Sequence, residues 1–175
     1  MLPGLNKLLL KTIETFFSSA GFKSCKTSKT TEFDKHSALF SASIGLSGDN
    51  ISGALVVTCA RDSLLKSHPQ RDQKIEHSEE DLGDWSGEIA NQIIGLLKRS
   101  ASGYGVSFSI GTPTVIRGHE LAISTSDKSQ YESLSVLIDA LHFIFYINMN
   151  TTSEISFEGD PKKANDEPTN DMLFF

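Results

Sequence analysis

Asp84, Glu88 and Asn91 sit in a stretch whose other residues read as the buried side of a helix. At about 100° per residue the three fall within roughly 60° of one another, while Leu82, Trp85, Ile89, Ile93, Leu96 and Leu97 occupy the broad opposite side. A polar stripe of this kind faces water or a partner. Its carboxylates can pair with a cation, and its carboxamide can accept and donate hydrogen bonds without carrying charge. Gly95 continues the stripe one turn later, where Ala would favour the helix by up to about 1 kcal/mol. The missing side chain there lets another molecule approach. Exposed helix faces commonly carry Glu and Asn, so spacing alone leaves a plain solvated face open as the alternative.

Other residue groups compete poorly. His36, His68, His77, His119 and His142 are scattered, none joins a Cys or Ser in a nucleophile motif, and they read as surface or structural groups. Gly103 and Gly105 form a Gly-x-Gly without the third glycine of a dinucleotide loop, and they precede a strand pattern instead of a helix. Cys25 and Cys59 lie far apart without histidines at ligand spacing, so reduced thiols are expected and no metal site or disulfide framework. The sequon at Asn150 has no meaning in a cytosolic chain.

The elements that must hold the stripe follow from hydrophobic period. Leu5, Leu8, Leu9, Thr12, Ile13, Phe16 and Phe17 recur at helical spacing, and Gly21 offers a stop. Ala38, Phe40, Ala42, Ile44 and Leu46 alternate as a strand, residues 47–50 turn, and 51–60 return as its hairpin partner. Residues 61–81 are polar, contain Pro69, and read as a short helix plus a connection. A long helix is expected from about 78 to 100, with Ser78 as its cap, acids in the first turn, and Lys98 and Arg99 in the last. Val106, Phe108 and Ile110 then alternate as a strand, and 119–125 alternate again through Leu121 and Ile123. Leu134, Leu137, Ile138 and Leu141 fit one helix face, but Phe143, Phe145, Ile147 and Met149, interleaved with Ile144 and Tyr146, suit a strand covered on both sides. Two strands joined by a tight turn near Ala140 are the reading adopted.

That order predicts an α+β domain over residues 1–157, an antiparallel sheet with the long polar-striped helix and an N-terminal helix packed on it. Residues 158–175 are expected to form an acidic, flexible tail, with Glu158, Asp160, Asp166, Glu167 and Asp171 against Lys162 and Lys163. Its tip, Met172 to Phe175, either folds back on the domain or docks on a partner.

Composition sets the outer bounds. A chain of 175 residues at 38% hydrophobic is ordinary for one soluble domain with a real core. A net charge of -6 with no basic cluster argues against nucleic acid as a partner. The apolar start is interrupted by Lys7, Lys11 and Glu14 and lacks a small-residue cleavage site, so no signal peptide is expected. No stretch approaches the roughly twenty apolar residues of a bilayer helix, so no membrane partner is expected and the chain is expected to be cytoplasmic.

The spacing of the stripe carries one further signal. Asp84, three residues, Glu88, two residues, Asn91, then twenty-one residues to Pro113 resembles the signature of the chemotaxis phosphatase family that contains CheC, CheX and FliY. A bare Glu-x-x-Asn is weak, but requiring Pro at one later position cuts chance matches about twentyfold, given its frequency near 5%. The resemblance covers most of residues 1–150 and leaves the tail outside it. CheC-type members carry a second Glu-x-x-Asn on a related helix, whereas Glu14 here is followed three residues later by Phe17. The single-motif CheX branch is therefore the closer likeness, and with it comes the expectation of a homodimer formed through the sheets.

The resemblance implies a phosphatase that removes the aspartyl phosphate of a phosphorylated CheY-like response regulator. It makes Asn91 the catalytic carboxamide that positions the attacking water, and Glu88 the catalytic-site carboxylate that pairs with the regulator's lysine. Asp84 and Gly95 become partner-facing positions, and Pro113 shapes a turn near the helix. Mg2+ belongs to the regulator, so no metal or cofactor of the chain's own is expected. An acyl phosphate has a good leaving group, so positioning and charge stabilisation carry most of the reaction. A carboxylate in place of Asn91 would repel the phosphoryl oxygens. The alternative is a non-catalytic CheX-like binding or scaffolding module in a signalling pathway. A flagellar switch component, the weaker third reading, brings a further domain for which 175 residues leave no room.

Overall fold

All seven residues of the expected N-terminal stripe, from Leu5 to Phe17, are buried along helix α1, Leu5–Ser19, in the computed structural model of the chain. The structure describes residues 2–28, 39–73, 75–121, 131–152 and 154–161. Helix α1 stops where Gly21, at φ 90°, lets the Phe22 N–H donate to the Phe17 carbonyl at 3.0 Å. The Phe22 ring then packs edge-on against Phe17 at 5.7 Å, the apolar contact that accompanies such helix ends.

The remaining elements are β1 (Cys25–Thr27), β2 (Leu39–Ser47), β3 (Ile51–Ala60), α2 (Arg61–Ser67), α3 (Glu79–Ser102), β4 (Ser109–Ile110), β5 (Thr114–Gly118), β6 (Tyr131–Ile138) and β7 (Leu141–Thr151). The strands form one sheet in the order β1-β6-β7-β3-β2-β4, with β5 also paired to β2, and every pairing is antiparallel. Helices α1 and α3 pack on each other, and α3 lies against β2, β3 and β5. This is the α+β arrangement that the sequence predicts.

Both expected hairpins form. Strands β2 and β3 pair from Leu39 with Ala60 to Ser47 with Ser52, placing Phe40, Ala42, Ile44, Leu55 and Val57 in the core. Strands β6 and β7 turn at Asp139 and Ala140, whose φ values of 44° and 74° are the paired positive angles of a two-residue hairpin. The Asp139 carboxylate accepts from the Lys23 N–H at 2.9 Å, and its own N–H donates to the Ser24 carbonyl at 3.0 Å, which ties the turn to the chain beside β1. Ile144, 1% exposed, agrees with a strand β7 covered on both faces.

Two strands differ from the reading of the sequence. The one expected from Val106 to Ile110 shrinks to Ser109–Ile110. Val106 and Phe108 are buried, but as side chains of a connection whose Val106 N–H caps back to the Ala101 carbonyl at 3.1 Å. Alternation there reflects a loop dropping apolar groups into the core. A strand that the reading of the sequence lacks forms at Thr114–Gly118, where it pairs with Leu39 to Ser43, and residues 119–121 of the strand expected over 119–125 are not part of it. Glu120, at φ 52°, turns the chain away from the ladder, and residues 122–125 lie outside the described residues. Strand β5 hides its nature because Val115 and Ile116 are adjacent, apolar and both exposed. The three-residue β1 gave no period to detect.

Phe157 is buried, its ring lying edge-on to Tyr104 at 5.6 Å and its N–H donating to the Pro3 carbonyl at 2.8 Å. The flexible tail expected beyond it falls almost wholly outside the described residues.

Candidate functional site

Helix α3 begins as its sequence demands. The Ser78 hydroxyl accepts from the Asp81 N–H at 3.1 Å, and the Asp81 carboxylate accepts from the Ser78 N–H at 2.9 Å. This reciprocal cap satisfies two helix-end groups and holds Asp81 below the ordinary carboxylate range, the Ser78 hydroxyl being the main cause. Glu79 is bound by Arg61 of α2 at 2.6 Å and by Arg117 of β5 at 3.3 Å. The Arg61 hydrogen bond is the chief reason that Glu79 also titrates low. These partners are about half exposed, so the pairs orient the three elements more than they stabilise them.

With the start fixed, the buried side comprises Leu82, Ser86, Gly87, Ile89, Ala90, Ile93, Ile94, Leu97 and Ala101. The polar stripe points the other way. Asp84 and Glu88 are exposed, and Asn91 and Gly95 are half-buried. Glu88 accepts from Gln92 Nε2 at 2.6 Å. The Asn91 carboxamide makes no hydrogen bond to another described residue. A methyl group built on Gly95 would meet nothing within 4 Å, so the surface beside Asn91 is open. The four stripe residues thus share one accessible face, with an amide bonded to no described residue one turn from a carboxylate.

Pro113 reaches this helix through a residue that the spacing argument passed over. A Cβ on Gly87 would lie 3.6 Å from Pro113 Cγ, 3.7 Å from its Cβ and 3.4 Å from Val115 Cγ2. The turn before β5 therefore rests on the helix backbone at Gly87, directly before Glu88. Fixed φ at Pro113 and a small residue at position 87 make that packing possible. A Gly inside an amphipathic run, followed by a distant Pro, was the only available signal. Since those contacts are ordinary for a methyl group, Gly87→Ala is expected to raise stability by up to about 1 kcal/mol through helix propensity. Gly87→Leu must push Pro113 aside and is expected to cost about 1–3 kcal/mol. Urea unfolding of both proteins reads this, and equal stability of the Leu variant would refute the packing.

The histidines are less scattered than the sequence indicates. His68 and His77 lie with ring centroids 4.0 Å apart and planes tilted by 42°, and His68 meets Trp85 at 5.7 Å. Burial, then the neighbouring His77, lowers the His68 pKa, and Asp81 partly opposes them. Trp85 packs against the core and donates from Nε1 to Ser67 Oγ at 3.0 Å. His142 Nε2 lies 2.7 Å from the hydroxyl of Ser135, but Ser135 is buried on the sheet, with no access for a substrate. Burial pushes the Cys25 thiol up to about 11, with Glu14 adding to the shift, and burial raises Cys59 further still. Neither is a thiolate at neutral pH. Among the described residues no group of three or more His, Cys, Asp or Glu is placed to hold a metal, and no helix is long and apolar enough to cross a membrane.

The fold is thus an α+β domain that presents one open face with a carboxylate and a carboxamide on helix α3. The family model described as "Chemotaxis phosphatase CheX" matches residues 40–137. The chain belongs to that family. No curated protein matches it. Among solved structures, the CheC-like superfamily protein from Shewanella sp. PV-4 superposes with a TM-score of 0.72 at 21% identity, covering 86% of this chain and 99% of that one. The chemotaxis protein CheX from Vibrio vulnificus gives 0.68 at 20%, covering 83% and 95%. The CheX component of the CheX-CheY-BeF3-Mg+2 complex from Borrelia burgdorferi gives 0.61 at 17%, covering 82% and 96%. At such identities these likenesses show the shared fold.

Proposed function

We propose that the chain is a protein aspartyl-phosphate phosphatase whose substrate is a phosphorylated CheY-like response regulator. The observation that carries the proposal is the Asn91 carboxamide, unpartnered among the described residues, beside exposed Glu88 on a face that Gly95 leaves open. Membership of the CheX family and the existence of a CheX-CheY complex among its structural relatives support the choice of partner.

In this reading α3 docks across the regulator's active site. Glu88 pairs with a regulator lysine, and the Asn91 amide oxygen accepts from a water held in line with the phosphorus. The amide carries no charge, so it enters among phosphoryl oxygens without repulsion. A backbone locked by Ile89, Ala90, Ile93 and Ile94, all fully buried, keeps the amide's placement rigid. The regulator holds the Mg2+, and the chain contributes position. A cytoplasmic location and a homodimer belong to the same proposal.

The test is phosphate release from a panel of phosphorylated CheY-like regulators with and without the chain. Accelerated release from at least one member is expected; binding without acceleration would instead fit a non-catalytic module. On that regulator, Glu88→Ala is expected to raise KM about tenfold or more with a smaller change in kcat, since it removes one partner of a docked ion pair. An unchanged KM would remove Glu88 from the docking role.

A further inference from the structure

Beside the proposed catalytic face lies a depression of about 560 Å³ between the connection after α2 and the first turns of α3. We infer that it is a docking subsite for an arginine side chain of the partner regulator. The inference rests on the proposed function and adds a second anchor, one helical turn from Glu88.

Three features of the walls select that occupant. Trp85 and the adjoining His68 and His77 supply aromatic surface, and the indole is fixed in place by its hydrogen bond to Ser67. Ile75, 52% exposed, offers an apolar rest for an aliphatic stem. Asp84 and Glu88 line the same depression, Asp84 makes no hydrogen bond or ion pair with a described residue, and no Lys or Arg is among the described lining residues, Arg71 being turned to the His68 carbonyl at 3.4 Å. Among the described lining residues the charge is therefore negative.

A fourth observation stands apart from the acids. His77 is 8% exposed, lines the depression, and its Nε2 has no hydrogen-bond partner. An unpaired buried nitrogen leaves its desolvation uncompensated, which a polar ligand group recovers after a small ring rotation. An apolar side chain would leave both Asp84 and His77 unsatisfied, and an anion would meet two carboxylates. A lysine would supply a point charge, whereas guanidinium stacks on indole and still pairs with a carboxylate.

The experiment uses the full chain and the regulator identified by phosphate release, activated with beryllofluoride so that affinity is read without turnover. Asp84→Asn and Ile75→Ala are expected to weaken Kd about tenfold and fivefold respectively. Both residues are exposed, so the folds should survive. Each arginine on the regulator's binding face is then replaced by Ala. One is expected to weaken binding to the natural chain about tenfold yet leave binding to Asp84→Asn almost unchanged. Unchanged affinity of Asp84→Asn, or the absence of any coupled arginine, overturns the inference. So does tighter binding by Lys74→Ala, which would mean that the chain's own ammonium fills the depression. Asn91→Ala tests the underlying catalytic reading through kcat, whereas the subsite is read through Kd.

Discussion

Asn91→Ala is expected to lower the phosphatase rate at saturating regulator by at least about a hundredfold, because misplacing a reacting group by about 1 Å already costs that much. Binding should stay within about twofold. The separation follows from the proposed docking, in which Glu88 and Asp84, not the amide, would provide the charge, and from Asn91 making no hydrogen bond to a described residue that its loss would break. Stability should rise by a few tenths of a kcal/mol, since Ala is the better helix former. Asn91→Asp keeps the shape but adds charge among the phosphoryl oxygens, and it should be no more active than Asn91→Ala. Single-turnover phosphate release, run with affinity and urea unfolding on the same preparations, decides the matter. Full activity in Asn91→Ala would end the water-positioning account.

Much of this site could be seen in the sequence because the features that define it are local. Asp84, Glu88, Asn91 and Gly95 share a helix face by arithmetic alone, and Ser78 caps that helix as its hydroxyl and the following acids require. Helix α1 was equally visible, since every apolar residue at its spacing is buried. What escaped detection depends on contacts between distant segments. Strand β5 exists because β2 offers it a ladder, while its own exposed Val115 and Ile116 have no alternating pattern. Gly87 matters only because Pro113 and Val115 return to it from the far side of a loop. His68 and His77 look unrelated in the chain, yet the turn after α2 sets them against the helix beside Asp84. Periodicity reports which face is buried; it says nothing of what lies on top.

Gly53→Ala is expected to be among the most damaging single methyl additions in the fold. A Cβ there would stand 1.9 Å from the Asn148 carbonyl oxygen, 2.9 Å from its carbon and 3.1 Å from Met149 Cα. All three are backbone atoms of β7, so no flexible side chain can swing clear. Strands β3 and β7 are neighbours inside the sheet, where Gly53 pairs with Met149 on one side and Leu46 on the other. Relief on the β7 side therefore strains the β2 side. The cost should reach at least about 3 kcal/mol, a large share of the roughly 5–15 kcal/mol that holds a domain folded. Urea unfolding should show the midpoint fall with little change in slope. Activity should fall only with the folded fraction, because the close neighbours of Gly53 are on β7 and not on α3. Phosphate release normalised to folded protein should thus match the natural chain, the opposite pattern from Asn91→Ala. A Gly53→Ala protein as stable as the natural chain would mean that β3 and β7 lie farther apart at this point than the structure has them.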